Sequence, residues 1–272
     1  MSVQRLELDS DMTPTIRPVY LSPHLDDAVL SCGGLIYQQA RHGIQPLVIT
    51  CFAGVPDDHA LSAFAAEQHQ RWGQSTDPAE QRRREDATAT AYLGAKYHHW
   101  SYLDCIYRRH PGSGEFLYAS EAALFGEVCR EEYNLIDDLA VRLSTSLLVE
   151  GAVIYAPLSV GHHVDHQLVS QAALRLRSSG FQVQFYEDYP YAEGAQKLGL
   201  ALQQWASPPL PVVQTLSEED LRGKIAAIRL YRSQLDVLFG SDSSVATRVK
   251  SYALAVGGGH GYGERYWEGG NR

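Results

Sequence analysis

The sequence lacks several features that would assign it to a specialised class of protein. Its 272 residues include no apolar run near the roughly 18 residues of a membrane span. Basic residues are few: 23 lysines and arginines face 32 acidic residues, and the net charge of −9 argues against nucleic-acid binding. The N-terminus has acidic residues and no apolar signal-peptide core. We therefore expect a cytoplasmic protein that binds neither nucleic acid nor membrane.

Cysteine is also scarce, and no two cysteines form a C-x-x-C pair. The four are Cys32, Cys51, Cys105 and Cys129. Because a thiolate zinc site or a disulfide framework needs closer pairing, we expect buried, reduced thiols.

The chain does contain an alternation of strand-like and helical segments, which is typical of an α/β fold. Strands are predicted at 17–22, 46–52, 97–101, 152–156 and 182–186, and helices at 27–41, 79–93, 133–149, from about 163, and at 217–238. We expect a Rossmann-like open, mostly parallel sheet with helices on both faces. No linker divides the chain, so we predict one domain over 1–272, with a core of about 17–190 and a C-terminal extension of about 191–272.

The first chemical motif is Pro23-His24-Leu25-Asp26-Asp27, where the first strand ends and the first helix begins. Ligands of open α/β sheets bind at this edge. A single aspartate here would most often be a helix N-cap. With His24 three residues before Asp27, however, an imidazole and a carboxylate can reach one ion.

The second motif is Gly161-His162-His163-Val164-Asp165-His166, just after the apolar strand 152–156. The His-x-x-His spacing puts two rings on one helix face. Alone it could be a solvated helix start with Asp165 near the helix dipole. Together the two motifs supply two histidines and one aspartate, plus spare acid and base groups. That set matches a catalytic zinc site with three ligands and an open position.

These motifs resemble those of the LmbE-like, PIG-L-type N-acetylglucosaminyl deacetylases. The first signature of the family is similar to Pro/Ala-His-Pro-Asp-Asp, and residues 23–27 match it except that Leu25 replaces the proline. The second signature is similar to His-Pro-Asp-His, which residues 163–166 match with valine in place of the proline. Residues 82–85 resemble the Arg-x-x-Glu helix of the family, and Asp104 resembles its aspartate in a Leu-x-Asp-like turn. The resemblance covers about 18–190.

The resemblance implies a role for each matching residue. One zinc ion per chain, or another divalent metal, would be held by the metal ligands His24, Asp27 and His166. Asp26 would be the general base, His163 would stabilise or protonate the tetrahedral intermediate, and Asp165 would orient His163. The substrate-binding residues would be Arg82 and Asp104.

One position departs from the family pattern. Some members have a tyrosine two residues before the equivalent of His163, offered to the oxyanion, and Gly161 stands there instead. That contact is absent here or comes from elsewhere. The glycine-rich segment 257–263 is predicted to be a mobile loop over the site, with Glu264 or Tyr266 near the substrate. The tyrosines and phenylalanine of 185–191 are predicted to mix core packing with a pocket wall.

The expected function is zinc-dependent removal of an N-acetyl group from a small amino sugar or glycoconjugate. Two alternatives stay open: a metal-dependent hydrolase of another small amide, and a non-catalytic sugar- or nucleotide-binding module. Asp26 favours an enzyme, because a binding module has no need of a spare carboxylate beside the ligands. The sequence does not specify the sugar, and it leaves homo-oligomerisation open.

Overall fold

The computed structural model of the protein describes residues 17–56, 61–73, 77–146 and 152–270. Their strands are β1 (Pro18–Ser22), β2 (Leu47–Thr50), β3 (Lys96–His99), β4 (Val153–Pro157), β5 (Gln182–Tyr186), β6 (Leu210–Leu216) and β7 (Tyr262–Glu268). These strands form one sheet in the order β3-β2-β1-β4-β5-β7-β6. Neighbours among the first five are parallel, whereas β7 runs antiparallel to both β5 and β6.

Ten α-helices occur in the described ranges. They are α1 (Asp27–Arg41), α2 (Ala63–Arg71), α3 (Pro78–Tyr92), α4 (Glu121–Leu124), α5 (Tyr133–Ser146), α6 (Val164–Ser178), α7 (Ala195–Gln203), α8 (Glu218–Ile228), α9 (Arg232–Phe239) and α10 (Asp242–Val256). None of these described helices is both long enough and apolar enough to cross a bilayer.

Helices cover both faces of the sheet because alternate side chains of each buried strand point to opposite sides. In β1, Val19 and Leu21 belong to one apolar core, which also holds Leu168 of α6. Tyr20 belongs to the other core, with Val29 of α1. Because a core packs against each of its faces, β1 is buried at every position, as central parallel strands usually are. The predicted mostly parallel sheet with helices on both faces is confirmed.

Most predicted elements lie close to their expected positions, and α1 coincides with its predicted range. The helix predicted at 217–238 is instead two helices, α8 and α9. The backbone N–H groups of Leu230 and Tyr231 donate to carbonyls three residues earlier, instead of four, and this tighter turn ends α8. Residues 147–149 of the helix predicted at 133–149 lie outside the described ranges.

The glycine-rich C-terminal segment, predicted to be a mobile loop over the site, is a turn at 257–261 and a strand from there on. Its residues from Tyr262 form β7, which lies inside the sheet between β5 and β6. Tyr266 is fully buried, and Glu264 accepts hydrogen bonds from the backbone N–H groups of Gly34 and Leu35 in α1. The C-terminal extension thus completes the same sheet, which supports our proposal of a single domain.

A buried ion pair ties this extension to the core. Lys224 Nζ of α8 lies 2.7 Å from Glu264 Oε1 and donates to the carbonyl of Ser31 in α1. Both charged side chains are 5% exposed. Breaking such a pair by removing one partner leaves an uncompensated buried charge and is strongly destabilising.

We therefore expect Glu264→Gln to lower the free energy of unfolding by about 3–5 kcal/mol. The matched control is Glu219→Gln, since Glu219 pairs with Arg41 at 2.6 Å but is half exposed; it should cost under about 1 kcal/mol. Urea denaturation of both variants measures the difference. Equal losses in the free energy of unfolding would show that the buried ion pair stabilises the protein no more than the surface pair does.

Candidate active site

The predicted metal ligands meet at the carboxyl edge of the sheet. His24 and Asp27 follow β1, while His163 and His166 follow β4. Asp188 follows β5. Since β1, β4 and β5 are adjacent and parallel, their carboxyl ends share one edge, where ligands of such sheets bind. All five of these side chains are buried.

The turn from β1 into α1 is fixed by short-range hydrogen bonds. Ser22 Oγ donates to the carbonyl of His24 and accepts from the N–H of Ala28. The carboxylate of Asp27 accepts from the N–H of His24 at 2.7 Å. The turn therefore holds the Asp27 carboxylate in place before any ligand binds.

Asp27 lies between two imidazoles. Its Oδ2 is 3.3 Å from His24 Nδ1 and 3.3 Å from His166 Nε2. A charged N–H···O hydrogen bond is shorter, about 2.7–2.9 Å. Two ligands of one tetrahedral ion with bonds of about 2.0–2.1 Å lie about 3.3–3.4 Å apart. Each of these two distances fits a carboxylate oxygen and an imidazole nitrogen that bind the same metal ion.

His163 lies beside these ligands. Ring nitrogens of His24, His163 and His166 lie within 4.8 Å of one another. Two other groups of potential ligands in the described residues overlap with this one: Cys105, His163 and Asp165, and His24, Asp104 and Asp165. Both use Asp165, whose Oδ1 pairs with Arg108 and whose Oδ2 lies 2.8 Å from His24 Nε2. Burial also raises the pKa of the Cys105 thiol.

A second carboxylate fixes the far side of the His166 ring. Asp188 Oδ1 lies 2.6 Å from His166 Nδ1, and its Oδ2 accepts from the N–H of Val160 at 2.7 Å. Such a carboxylate commonly orients a metal-binding histidine and raises the basicity of its other nitrogen. Nothing in the local sequence pattern marks Asp188, because it reaches His166 from a different strand.

Asp165 holds His24, where the sequence predicted that it would orient His163. Its Oδ2 lies 2.8 Å from His24 Nε2 and accepts from the N–H of Cys105. His163 is the N-cap of α6, and its Nδ1 accepts from the backbone N–H of Asp165 at 3.2 Å. His163 therefore contacts the backbone of Asp165, while the Asp165 carboxylate contacts His24.

Arg108 extends this arrangement and was not found from the sequence. Its Nη1 donates to Asp165 Oδ1 at 2.6 Å, and its Nε and Nη2 both donate to Glu132. The guanidinium is almost fully buried and lies over the ring of Phe52. It holds the pKa of Asp165 well below its usual range, against the opposing effect of burial. Asp165 therefore stays ionised against His24.

Asp26 lies beside the metal ligands. Within the described residues, no hydrogen bond joins its carboxylate to a ring nitrogen of His24 or His166. Burial raises its pKa to about 7, although the positive charge of Arg82 opposes the shift. Arg82 Nη2 is 3.7 Å from Asp26 Oδ2, and the guanidinium is 4.5 Å from the ring centre of Trp72. The predicted base and the predicted substrate contact thus lie side by side.

Without a metal ion in the site, the imidazoles of His166 and His163 differ in charge. Burial alone would lower the pKa of His166, but the carboxylates of Asp27 and Asp188 raise it to about 9. Burial and the neighbouring His24 hold the pKa of His163 well below its ordinary value. His163 is therefore neutral, and with its Nδ1 accepting a hydrogen bond it carries its proton on Nε2.

A cleft of about 730 Å³ opens onto these residues. Its outer walls include Phe64 and Trp72, Leu124 and Phe125, and Val237 and Leu238. Asp104 also lines it, with Oδ2 at 3.8 Å from His24 Nε2. A larger cavity of about 1170 Å³ lies against α5 and α6, but none of the predicted metal ligands lines it. The chemistry therefore belongs to the smaller cleft.

Comparison with known proteins agrees with this geometry. The family model of the PIG-L family, GlcNAc-PI de-N-acetylase, matches residues 19–176. A 2'-N-acetylparomamine deacetylase of Niallia circulans is 29% identical over 242 residues, 83% of each chain. A 2'-N-acetylparomamine deacetylase of Streptomyces fradiae is 30% identical over 179 residues, 65% of this chain and 58% of that one.

Solved structures give the same result. A zinc-inhibited form of a teicoplanin deacetylase is 29% identical with a TM-score of 0.80, over 92% of this chain and 97% of that one. A deacetylase of the A40926 pseudoaglycone is 27% identical with a TM-score of 0.70, over 93% and 96% of the two chains. The family model spans more than half of the chain, and the resemblance seen in the sequence is confirmed. The chain belongs to the PIG-L family and is an N-deacetylase, a hydrolase of amide bonds.

Proposed function

We propose that this deacetylase depends on one zinc ion per chain, held by His24, Asp27 and His166. Two imidazole nitrogens and one carboxylate oxygen suit zinc, and other divalent metals would accept the same donors. The observation that carries the proposal is the position of Asp27 Oδ2, 3.3 Å from both His24 Nδ1 and His166 Nε2.

The charge balance of the site also supports a bound cation. Arg82 faces Asp26, whereas Arg108 pairs with both Asp165 and Glu132. Two further buried carboxylates, Asp27 and Asp188, lie against the histidines. Neither pairs with an arginine in the described residues, and an unpaired buried charge is costly. Protonation of the imidazoles or of a carboxylate can compensate this charge, and so can a divalent ion; of these, the ion leaves both rings free as ligands.

When bound, the metal would acidify a water molecule and polarise the amide carbonyl. Asp26 would accept the proton of that water, because it lies beside the ligands and its pKa of about 7 suits a general base near neutral pH. Arg82 would keep part of the Asp26 population ionised and would offer its guanidinium to the substrate. Asp104, which also lines the cleft, would contact the sugar as well.

His163 would act on the substrate through Nε2, which carries the proton of the neutral ring. Water adds to the amide carbon, and the carbonyl electron pair moves onto oxygen. The C–N bond then breaks, the nitrogen takes a proton and leaves as an amine, and acetate remains. His163 would donate to the oxyanion or to the departing nitrogen, and both roles need the protonated Nε2.

We further propose that the substrate is a small N-acetylated amino sugar or glycoconjugate. The relatives are named for the deacetylation of 2'-N-acetylparomamine, teicoplanin and the A40926 pseudoaglycone, and the family model for GlcNAc-PI. The 730 Å³ cleft lies in the range typical of drug-sized ligands. It therefore has room for a sugar together with a further group.

Purified protein loaded with zinc should release acetate and a free amine in equal amounts from N-acetylglucosamine conjugates or from 2'-N-acetylparomamine. The physical reason is the ligand set beside a base of suitable pKa. Acetate is measured enzymatically and the amine by mass spectrometry, before and after dipicolinate treatment and zinc return. Acetate release that survives complete metal removal would contradict the proposal, as would no release from any N-acetylated sugar.

Asp26→Asn should keep the metal but lose about two to four decades of kcat, because the amide has nearly the same shape and accepts no proton. Metal content and kcat of this variant are the measurements. Asp137→Asn is the matched control, since Asp137 is an exposed partner of Arg175 and should leave both values unchanged.

The same assignment predicts a pH dependence. A base must be ionised to act, so kcat/KM should fall as pH drops through the pKa of Asp26, at about 7 or lower once a cation is bound. Arg82→Gln removes a nearby positive charge and should move this acidic limb to higher pH. An unchanged limb in Arg82→Gln, or near-native kcat in Asp26→Asn, would assign the base to another group.

A further inference from the structure

Gly161 and Tyr191 occupy complementary space beside the ligands. Gly161 has a φ of +95°, and a Cβ atom built on it would lie 2.9 Å from Cγ of the Tyr191 ring. Such a distance is too short for any side chain at 161 while Tyr191 keeps its position. The absence of a side chain at 161 is therefore what admits the Tyr191 ring.

The Tyr191 ring is fixed against the ligands. It lies edge-on to His166, with ring centres 6.2 Å apart, and edge-on to Phe125 at 5.9 Å. Tyr191 lines the cleft together with Asp26, Asp27 and His166. Its ring therefore lies at the wall that also carries the ligands and the base.

The hydroxyl is also free to bind a ligand. Among the hydrogen bonds of the described residues, none involves the Tyr191 hydroxyl. Its neighbour in the same segment differs, because the hydroxyl of Tyr189 donates to Glu193 at 3.0 Å. Tyr191 thus presents an unused O–H donor to the cleft, held by a rigid aromatic ring.

We propose that the Tyr191 hydroxyl donates a hydrogen bond to the oxyanion of the tetrahedral intermediate, beside the Nε2–H of His163. This inference rests on the proposed deacetylation. The donor makes no covalent bond and keeps its proton: it binds the oxygen that gains the carbonyl electron pair and releases it when the C–N bond breaks. Tyr191 thereby supplies from the segment after β5 a contact that position 161 does not offer.

The test is Tyr191→Phe, which removes one oxygen atom and keeps the ring that packs on Gly161 and His166. Loss of one oxyanion donor typically costs about 10²–10³ in kcat. We expect a fall of that size, with bound zinc, thermal unfolding and KM close to those of the parent. Tyr20→Phe is the matched control, since the Tyr20 hydroxyl donates to Gln39 at 2.8 Å and the ring does not line the cleft; its kcat should stay within a few-fold of the parent.

A second substrate separates oxyanion binding from a structural effect. An N-trifluoroacetyl amide stabilises its own oxyanion through the fluorines, so it needs the donor less. The ratio of parent to Tyr191→Phe kcat should therefore be clearly smaller for the trifluoroacetyl substrate than for the acetyl one. A displaced ring would instead slow both substrates to a similar extent.

The outcomes are distinguishable. An active parent with near-native kcat in Tyr191→Phe, or equal losses on both substrates, overturns the role of Tyr191 and leaves the deacetylation standing. A parent that hydrolyses neither amide overturns the proposed function, and the role of Tyr191 falls with it.

Discussion

The site depends on the carboxylate of Asp27 lying between the imidazoles of His24 and His166. This arrangement exists because β1 and β4 are adjacent and parallel, so the chain delivers one histidine from each strand end to the same point. The register pairs Pro18 with Val153 and Tyr20 with Tyr155. A slip by one residue would turn every side chain of a strand to the other face and would misplace the residues that follow it. Strand pairing therefore determines the ligand geometry.

Charge compensation then extends outward from the ligands in steps. Asp188 supports His166 and Asp165 supports His24, while Arg108 in turn pairs with both Asp165 and Glu132. Burying so many charges is costly unless each has a partner. The site meets this cost with fixed hydrogen bonds, which orient both rings, and a bound cation would complete the compensation for Asp27. Burial also raises the pKa of Asp26 to near neutrality. Burial of the site therefore accounts both for the hydrogen bonds that orient the ligand rings and for the basicity of Asp26.

The sequence predicted those parts of the molecule that depend on local patterns. The two motifs could be found because each lies within a few residues at a strand end, and α1 could be bounded from its composition. Arg108 and Asp188 could not, because each reaches the site from a separate segment through tertiary packing. Tyr191 was predicted only as one of several aromatic residues shared between the core and a pocket wall. The loop predicted at 257–263 was wrong from Tyr262 onward for the same reason, since β7 is defined by pairing with β5 and β6 rather than by its own pattern. Gly161 was noticed as a departure, but only the fold places Tyr191 against it.

The most direct test of the account is the position and coordination of the metal itself. A crystal of the zinc-loaded protein, measured on both sides of the zinc absorption edge, gives an anomalous difference map that locates the ion. The account predicts one peak per chain, within bonding distance of His24 Nδ1, Asp27 Oδ2 and His166 Nε2, with His163 and Asp26 nearby but unbound. A peak bound by His163 in place of Asp27, or one bound by Cys105 and Asp165, would contradict it.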